Sequence, residues 1–192
     1  MNVRVLMLET PQALLEERAR KGLDRWDEMW DGVLHMVPPP ADRQQDLGSR
    51  LVEVLGPLAR LVGLRFQYGT GVFRPGRDDD YRVPDQVLCS PDVKSQRGVE
   101  GAALAAFEIH SPGDEAYEKI AWYLDVGVRE VVIIDRDTLA VEGFRSVDEQ
   151  GVPVRAGDTT LRALEVAFER VDDDHLRLAW SDGRAEVALR SS

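Results

Sequence analysis

Apolar residues recur along the chain with two different periods, and these periods predict an alternation of helices and strands. Residues 42–62 carry leucines and valines at helical spacing, which predicts one long helix with a kink or a break at Pro57. Residues 11–30 predict one or two shorter helices by the same criterion. Residues 104–110 (LAAFEIH) and 131–134 (VVII) are nearly continuous apolar runs, as expected of strands that are buried on both faces.

The segment between these two apolar runs predicts the best-defined unit of the fold. The sequence Ser111-Pro112-Gly113-Asp114 ends the first strand and precedes a helix over about residues 115–125, which Gly127 stops. A strand, a helix and a second strand in this order predict a βαβ unit with parallel strands.

Shorter strand-like segments fill the rest of the chain. They lie at 33–37, 65–73, 82–89, 138–144, 164–168, 176–180 and 185–189. Turn residues separate the last three, which predicts an antiparallel meander at the C-terminus. We therefore expect a single α/β domain over residues 1–192, with a core over about 24–145 and a β extension over about 152–190.

Composition agrees with a globular domain and excludes several other classes of protein. A chain of 192 residues, 43% hydrophobic and 31% charged, is long and apolar enough to bury a core. No apolar run approaches the roughly 18 residues that a membrane-spanning helix needs, and the N-terminus lacks the pattern of a signal peptide. Cys89 is the only cysteine, which excludes an internal disulfide and favours a cytoplasmic location.

Charge is spread unevenly along the chain. The net charge of −11 argues against broad non-specific binding to a polyanion. Residues 41–77 nevertheless carry a net +3, which leaves −14 for the remainder. A phosphate-bearing substrate would approach this positive stretch, or else its arginines are simply solvated and have no partner. The candidates for contacts with a nucleic-acid backbone are Arg43, Arg50, Arg74 and Arg77.

Asp85 and Glu108 are the strongest candidates for chemistry. Asp85 follows a proline at the end of an extended segment, and Glu108 lies inside an otherwise apolar strand. A carboxylate in such a strand costs free energy unless it is paired or binds a metal. If the two acids meet on neighbouring strands, a divalent cation relieves their repulsion, and Mg²⁺ commonly uses one or two carboxylates together with phosphate oxygens. The alternatives are a turn residue at Asp85 and a structural bridge from Glu108 to an arginine.

Lys119 and His110 lie close to Glu108 along the sequence. Lys119 is on the helix that follows the strand, and its ammonium could reach back over the strand end to orient a water molecule and stabilise a developing phosphorane; the alternative is a solvated helix residue. His110 shares a strand face with Glu108, because strand side chains repeat every two residues. It is a metal ligand, a water-orienting base or a filled core position. His35 and His175 are separate from these motifs and are interpreted as surface or core residues.

Four sequence blocks resemble a bacterial family of restriction-endonuclease-like proteins, the Uma type, within the PD-(D/E)XK nuclease superfamily. They occur in the family's order over roughly residues 24–145. The first is similar to the pattern E-x-x-x-G-x-x-x-M-x-P-P, the second to the family's PD strand, the third to its vEvlSP block and the fourth to K-x-x-x-Y-x-x-x-G-V-x-E-x-x-x-x-D. In this chain the first block is residues 28–36 with Pro38-Pro39-Pro40, and the second is Val83-Pro84-Asp85 with Ser90-Pro91-Asp92. The third block is residues 107–112. The fourth consists of Lys119, Tyr123, residues 127–130 and residues 133–135.

The resemblance implies a restriction-endonuclease-like core, which is a mixed β-sheet flanked by helices. It implies that Asp85 and Glu108 bind a divalent metal, Mg²⁺ or Mn²⁺, that Lys119 is the lysine of the site, and that Glu28 completes the site. The chain departs from the family at Gln44, where members usually have a histidine. The C-terminal meander is a second departure and suggests an added interaction surface.

These observations favour two functions of different kinds. The first is a Mg²⁺-dependent endonuclease that hydrolyses phosphodiester bonds in DNA, with Asp85, Glu108 and Lys119 at its centre. The second is a catalytically inactive protein with a nuclease fold that acts as a binding or assembly module, which the net acidity, Gln44 and the C-terminal strands favour. Under either function we expect a homodimer, because symmetric dimers are common and a duplex offers two strands.

Overall fold

Three helices lie in the part of the chain that the computed structural model describes, which is residues 11–38, 41–172 and 174–188. None of the helices in these ranges is long and apolar enough to cross a membrane. Pro39, Pro40 and Leu189, which the sequence assigns to a connector and to the last strand, lie outside the described residues. The helices are α1 (Gln12–Lys21), α2 (Asp42–Leu61) and α3 (Ala116–Asp125).

Strands form three separate sheets in these same ranges. In chain order they are β1 (Glu28–Trp30), β2 (Val33–His35), β3 (Arg65–Tyr68), β4 (Val72–Phe73), β5 (Tyr81–Arg82), β6 (Gln86–Cys89), β7 (Val99–Glu100), β8 (Ala105–His110), β9 (Val131–Asp135), β10 (Val141–Val147), β11 (Pro153–Arg155), β12 (Thr160–Leu161), β13 (Val166–Arg170), β14 (His175–Trp180) and β15 (Gly183–Ala188). Short 3₁₀ turns at Asp24–Trp26 and Pro91–Val93 connect some of them.

The central sheet has six strands in the order β11-β10-β9-β8-β6-β3. β8 and β9 are parallel and are connected through α3, so the predicted βαβ unit is confirmed. The other neighbouring strands of this sheet are antiparallel, and the sheet is therefore mixed, as the resemblance implies.

Each face of the central sheet packs against one helix. Phe107 of β8 lies in an apolar core that includes Leu51 of α2, whereas Ala106 lies in a second core that includes Ile120 of α3. Because side chains alternate between the two faces of a strand, Glu108 projects toward α3. This placement puts the acidic residue of β8 under the helix that carries Lys119.

The C-terminal strands form an antiparallel sheet in the order β12-β13-β14-β15, which confirms the predicted meander. The sheet contacts α2 and belongs to the same apolar core as Leu51. The residues that it contributes are Leu161, Val166, Phe168, Leu176, Leu178 and Val187.

The third sheet is small and lies beside the central one, with the order β2-β1-β5-β4-β7. It contains residues 28–30, so their assignment to a helix is wrong. Asp31 and Gly32 explain the difference, since both have positive φ, 49° and 85°, and close a two-residue hairpin loop in which Trp30 pairs with Val33. This tight turn fixes β1 as a strand although its residues repeat at helical spacing.

Two long strand predictions also need correction. The segment 65–73 divides into β3 of the central sheet and β4 of the small sheet, with Gly69 and Gly71 between them. The segment 82–89 divides around Pro84, which has no N–H to donate to a sheet.

The predicted break at Pro57 is absent, because α2 continues without interruption to Leu61. Pro57 lies on the exposed side of α2, and so does Glu53, whose carbonyl loses its helical partner. Water can therefore satisfy the freed carbonyl, which lets the helix continue.

The C-terminus of α3 has a Schellman motif, which fixes the length of the helix that carries Lys119. Gly127 has φ 101° and donates its N–H to the Leu124 carbonyl, while Val128 donates to the Tyr123 carbonyl. Val128 and Tyr123 also share the apolar core on the α3 side. The motif confirms Gly127 as the residue that stops the helix.

Gly127→Ala is expected to lower the free energy of unfolding by about 1–2 kcal/mol, because a Cβ atom strains a backbone of positive φ. Urea denaturation measures the change. Gly157→Ala is the matched control, since Gly157 lacks a positive φ and an added Cβ would meet nothing within 4 Å. Equal stability of the two variants would contradict the role of the motif.

Candidate active site

Asp85 and Glu108 are neighbours at one end of the central sheet. The antiparallel register of β6 and β8 ends at the pair Gln86 and Phe107, so Asp85 lies in a bend one position before β6 and Glu108 lies one position further along β8. The N–H of Ile109, which follows Glu108, donates to Asp85 Oδ2 at 2.7 Å. The structure therefore brings the two acids close together, and the expectation that both project from one face of the sheet stays a prediction.

Glu108 is buried, with 5% of its surface exposed, and α3 supplies its polar partners. The Tyr123 hydroxyl donates to its Oε1 at 2.7 Å, and the Lys119 ammonium lies 3.2 Å from Oε1 and 3.4 Å from Oε2. Burial raises the pKa of Glu108 to about 8; the charges of Asp85 and Glu28 add to this rise, while Lys119 and Tyr123 oppose it. The bridge from Glu108 therefore runs to a lysine and a tyrosine, where the sequence suggested an arginine.

Lys119 is buried among carboxylates, which contradicts its alternative interpretation as a solvated helix residue. Its Nζ lies 2.8 Å from Oε1 of Glu28, in addition to its contacts with Glu108. Burial acts to lower the pKa of Lys119, but Glu108, Glu28 and Asp85 together outweigh this effect and raise it above the ordinary value. The raised pKa favours the charged form of Lys119 between the carboxylates of Glu28 and Glu108.

Glu28 belongs to β1 of the small sheet and reaches Lys119 from there. Only 1% of its surface is exposed. The Val83 N–H donates to its Oε1 at 2.9 Å, and the Trp30 indole N–H donates to its Oε2 at 2.7 Å. The sequence proposal that Glu28 completes the site is consistent with this position beside Lys119.

Gln44, which was predicted only as a departure from the family pattern, is a further partner of Asp85. Gln44, in the first turn of α2, donates its side-chain N–H to Asp85 Oδ1 at 2.9 Å. Burial raises the pKa of Asp85, and the Ile109 N–H and Lys119 act against that rise. The amide at position 44 thus helps to orient the aspartate.

His110 projects toward α3 like Glu108 but has different partners. Its Nδ1 lies 2.8 Å from Asp114 Oδ1, and its ring packs edge-on against Tyr117 with centroids 5.0 Å apart. His110 therefore lies at the rim of the site, and its direct role stays a prediction.

The four candidate arginines each have a carboxylate neighbour. Part of the positive charge of residues 41–77 is therefore compensated by acids, several of which lie elsewhere in the chain. Contacts of these four arginines with nucleic acid stay a prediction. The pairs are Arg43 with Asp137 (3.9 Å), Arg50 with Asp46 (2.9 Å), Arg74 with Asp80 (2.6 Å) and Asp125 (2.9 Å), and Arg77 with Asp79 (2.8 Å) and Asp31 (2.7 Å).

Two residues near the site were missed as functional by the sequence reasoning. Tyr123 is four positions after Lys119, so helical spacing could have placed both on the face that meets Glu108. His35 was interpreted as separate from the motifs, but it pairs with Glu28 in the β1–β2 register. The hairpin turn at Asp31-Gly32 was the signal that could have found it.

The charges and donors of the site fit one divalent cation. Lys119 contacts Glu28 and Glu108, and the charge of Asp85 acts on it at longer range, so the fully ionised cluster of these four residues has a net charge of −2. Within the described residues no group of three or more acidic, histidine or cysteine side chains is arranged to hold a metal on its own. Mg²⁺ needs only one or two protein carboxylates when water and phosphate supply the other ligands. Asp85 and Glu108 meet that requirement.

Comparisons with known proteins agree with this description. A sequence model of the family described as "Uma2: Putative restriction endonuclease" matches residues 15–177, a range that extends beyond 24–145 and into β14. A crystal structure of a "putative nuclease belonging to DUF820" from Anabaena variabilis has the same fold, with a TM-score of 0.55 and 19% sequence identity over 69% of this chain and 77% of that one. None of the curated proteins compared with the chain matches it.

Proposed function

The chain belongs to the Uma2 family of restriction-endonuclease-like proteins, and we propose that it is a metal-dependent endonuclease that hydrolyses phosphodiester bonds in DNA. The observation that supports the proposal is the convergence of Asp85, Glu108 and Lys119. The Asp85 carboxylate accepts the N–H of Ile109, the residue after Glu108, and the buried Lys119 ammonium contacts Glu108. This arrangement suits the hydrolysis of an ester that carries negative charge.

The chemistry requires a new bond from a water oxygen to phosphorus, cleavage of the ester bond and a proton for the leaving oxygen. Mg²⁺ or Mn²⁺, bound by Asp85 and Glu108, would lower the pKa of water and neutralise charge on the phosphate. Gln44 and the Ile109 N–H hold Asp85 in place, and Tyr123 holds Glu108.

Lys119 supplies a fixed positive charge beside the carboxylates. An ammonium has three N–H donors, and its described contacts run to three oxygens, one of Glu28 and both of Glu108. The longest of these contacts, 3.4 Å to Glu108 Oε2, would give way to a non-bridging phosphate oxygen, where negative charge develops in the transition state. Because Lys119 is held before substrate arrives, little reorganisation is required at that moment.

Cleavage of supercoiled plasmid tests the proposal. Wild-type protein is expected to nick the plasmid with Mg²⁺ or Mn²⁺ and to stop when EDTA is added, whereas Asp85→Asn is expected to lack metal-dependent cleavage. Asp182→Asn, at an exposed turn of the C-terminal sheet, is the control and should cleave like wild type. Cleavage by Asp85→Asn at the wild-type rate, or full activity in EDTA, would refute the proposal. An RNA of equal length in parallel distinguishes the two nucleic acids.

A non-catalytic binding or assembly module is the second candidate. The net charge of −11 and the carboxylate partners of all four candidate arginines favour it. This candidate predicts no heat on titration with Mg²⁺ and no change in melting temperature with metal. A metal-dependent stabilisation that is lost in Asp85→Asn would exclude it.

The proposal extends to assembly and location. A homodimer would offer one site to each strand of a duplex, and multi-angle light scattering measures its mass. A cytoplasmic site of action would give access to DNA and is consistent with a single cysteine.

A further inference from the structure

Four planar side chains stack in a row between the small sheet and α3. The Arg82 guanidinium lies 4.3 Å from the ring centroid of Trp30 and 4.3 Å from that of Trp122. His35 stacks on Trp30 with centroids 4.1 Å apart and an interplanar angle of 11°. Two planar groups this close to one centroid cannot share a face of the indole, so Trp30 lies between His35 and Arg82. We call these four residues the stacked row.

Hydrogen bonds at both ends hold the stacked row in place. Arg82 donates from Nη1 to the Met29 carbonyl at 2.8 Å and to Asp80 Oδ1 at 3.0 Å, and Asp80 accepts the Trp122 indole N–H at 2.9 Å. At the other end the His35 ring nitrogen Nδ1 lies 3.1 Å from Glu115 Oε2. Arg82 and Asp80 are buried, so the row is rigid compared with a surface cluster.

The row meets the candidate active site at both Trp122, whose ring packs edge-on against that of Tyr123 with centroids 5.5 Å apart, and Trp30. Trp30 donates its indole N–H to Glu28 Oε2 at 2.7 Å. Glu28 pairs with His35 in the hairpin register and lies on the same strand face as Trp30. The orientation of the Glu28 carboxylate is therefore set by the row and by the neighbouring backbone of Val83.

Glu28 lies closer to the Lys119 ammonium than Glu108 does, at 2.8 Å against 3.2 Å and 3.4 Å. Its Oε1 accepts from both the Lys119 ammonium and the Val83 N–H, which uses the two lone pairs of that oxygen. Its Oε2 accepts from Trp30. Glu28 also belongs to the small sheet, whereas Asp85 and Glu108 are neighbours at the end of the central sheet. Its short contact with the ammonium and its place outside that pair of acids suit Glu28 to hold Lys119.

We propose that Glu28 anchors Lys119 and is not a metal ligand, and that Trp30, fixed in the stacked row, is the positioning residue that orients Glu28. The expected fall in kcat rests on the proposed nuclease function. The dependence of the position of Lys119 on Trp30 does not rest on that function. The small sheet thereby determines where the essential cation lies, although the metal-binding acids belong to the central sheet.

Trp30→Phe tests the proposal because phenylalanine keeps a ring between His35 and Arg82 but lacks the indole N–H. The expected result is a fall in kcat of about 10–100-fold, since small misplacements of a catalytic group have effects of this size. KM and the metal concentration for half-maximal activity should stay within twofold. Trp180→Phe, in β14, is the matched control with wild-type kinetics. A Trp30→Phe variant as fast as wild type would overturn the proposal.

A measurement without turnover separates this inference from the nuclease function. The side-chain ammonium of Lys119, buried and doubly paired, should give a slowly exchanging ¹⁵N resonance that is shifted or lost in Trp30→Phe and unchanged in Trp180→Phe. An unchanged resonance in both variants would overturn the proposal even if wild type cleaves DNA. The same shift in a protein that does not cleave would support the proposal while refuting the nuclease function.

Glu28→Gln provides a second test, because glutamine preserves the shape of the side chain and removes its charge. We expect kcat to fall, the Lys119 resonance to move and the calorimetric Kd for Mn²⁺ to stay within twofold of wild type. A loss of Mn²⁺ affinity of tenfold or more would show that Glu28 is a ligand and would overturn the proposal. The Mn²⁺ titration of Asp85→Asn, in which affinity should be lost, calibrates that measurement.

Discussion

Replacing Lys119 by methionine is expected to lower the free energy of unfolding at pH 9 by about 3–5 kcal/mol and the cleavage rate by about 10³-fold. Methionine retains most of the apolar stem of the lysine but lacks the ammonium that contacts Glu28 and Glu108. The buried carboxylates would then lack a cation within the site. Urea denaturation at pH 9 and plasmid cleavage measure the two effects.

A surface lysine and a double variant control this experiment. Lys21→Met removes an exposed lysine that pairs with Glu17 on α1, and it should change neither stability nor cleavage measurably. Adding Glu28→Gln to Lys119→Met should recover part of the lost stability, because one uncompensated charge is removed. If the double variant recovers nothing, the loss in Lys119→Met comes from packing and not from charge.

The protein without added metal is expected to become less stable as pH rises from about 5 to about 9. Burial and the neighbouring acids raise the pKa of Glu108 from 4.5 to about 8. Between those values the folded protein holds the proton and the unfolded chain does not. Unfolding then releases a proton, so the free energy of unfolding falls through this window and levels off above pH 8. Asp85, whose pKa burial also raises, contributes in the same direction.

Melting temperatures of wild type and Glu108→Gln in EDTA, measured from pH 5 to 9.5, test this expectation. The wild-type melting temperature should fall more steeply with pH. Above pH 8 the Glu108→Gln variant should therefore be the more stable of the two proteins. Burial also raises the pKa of Glu130. Because Glu130 is present in both proteins, its contribution to the pH dependence cancels in the comparison. Adding Mg²⁺ at pH 9 should restore much of the wild-type stability, because a cation replaces the proton. Parallel curves for the two proteins would contradict the assignment.

Local patterns predicted much of the central fold correctly. The apolar run at 104–110, the helix after it and the run at 131–134 gave β8, α3 and β9 with boundaries close to those observed. These elements are buried on defined faces, so their periodicity reflects their packing. The sequence predicted only that Lys119 could reach back over the end of this strand; the structure adds that Glu108 faces α3, as Ala106 does.

The small sheet was harder to predict because its strands are short and pair over long distances in sequence. β1 has three residues and pairs with β5, about 50 residues later, so no local period identifies it. Its strand character depends on a hairpin loop and on Arg82, which stacks on Trp30. The environment of Glu28 follows from these tertiary contacts and could not be derived from its neighbours in the chain.

The site combines residues that the chain supplies at widely separated points, from Glu28 to Lys119, and each is held by a different element. In a chain that emerges from the ribosome, Asp85 and Glu108 are synthesised before Lys119, and the partner that Lys119 contacts most closely, Glu28, is synthesised earlier still. No isolated hairpin or helix would carry the chemistry. Under the proposed function, hydrolytic capacity would therefore arise only together with cooperative folding, and fragments or incompletely folded copies would not cleave a phosphodiester.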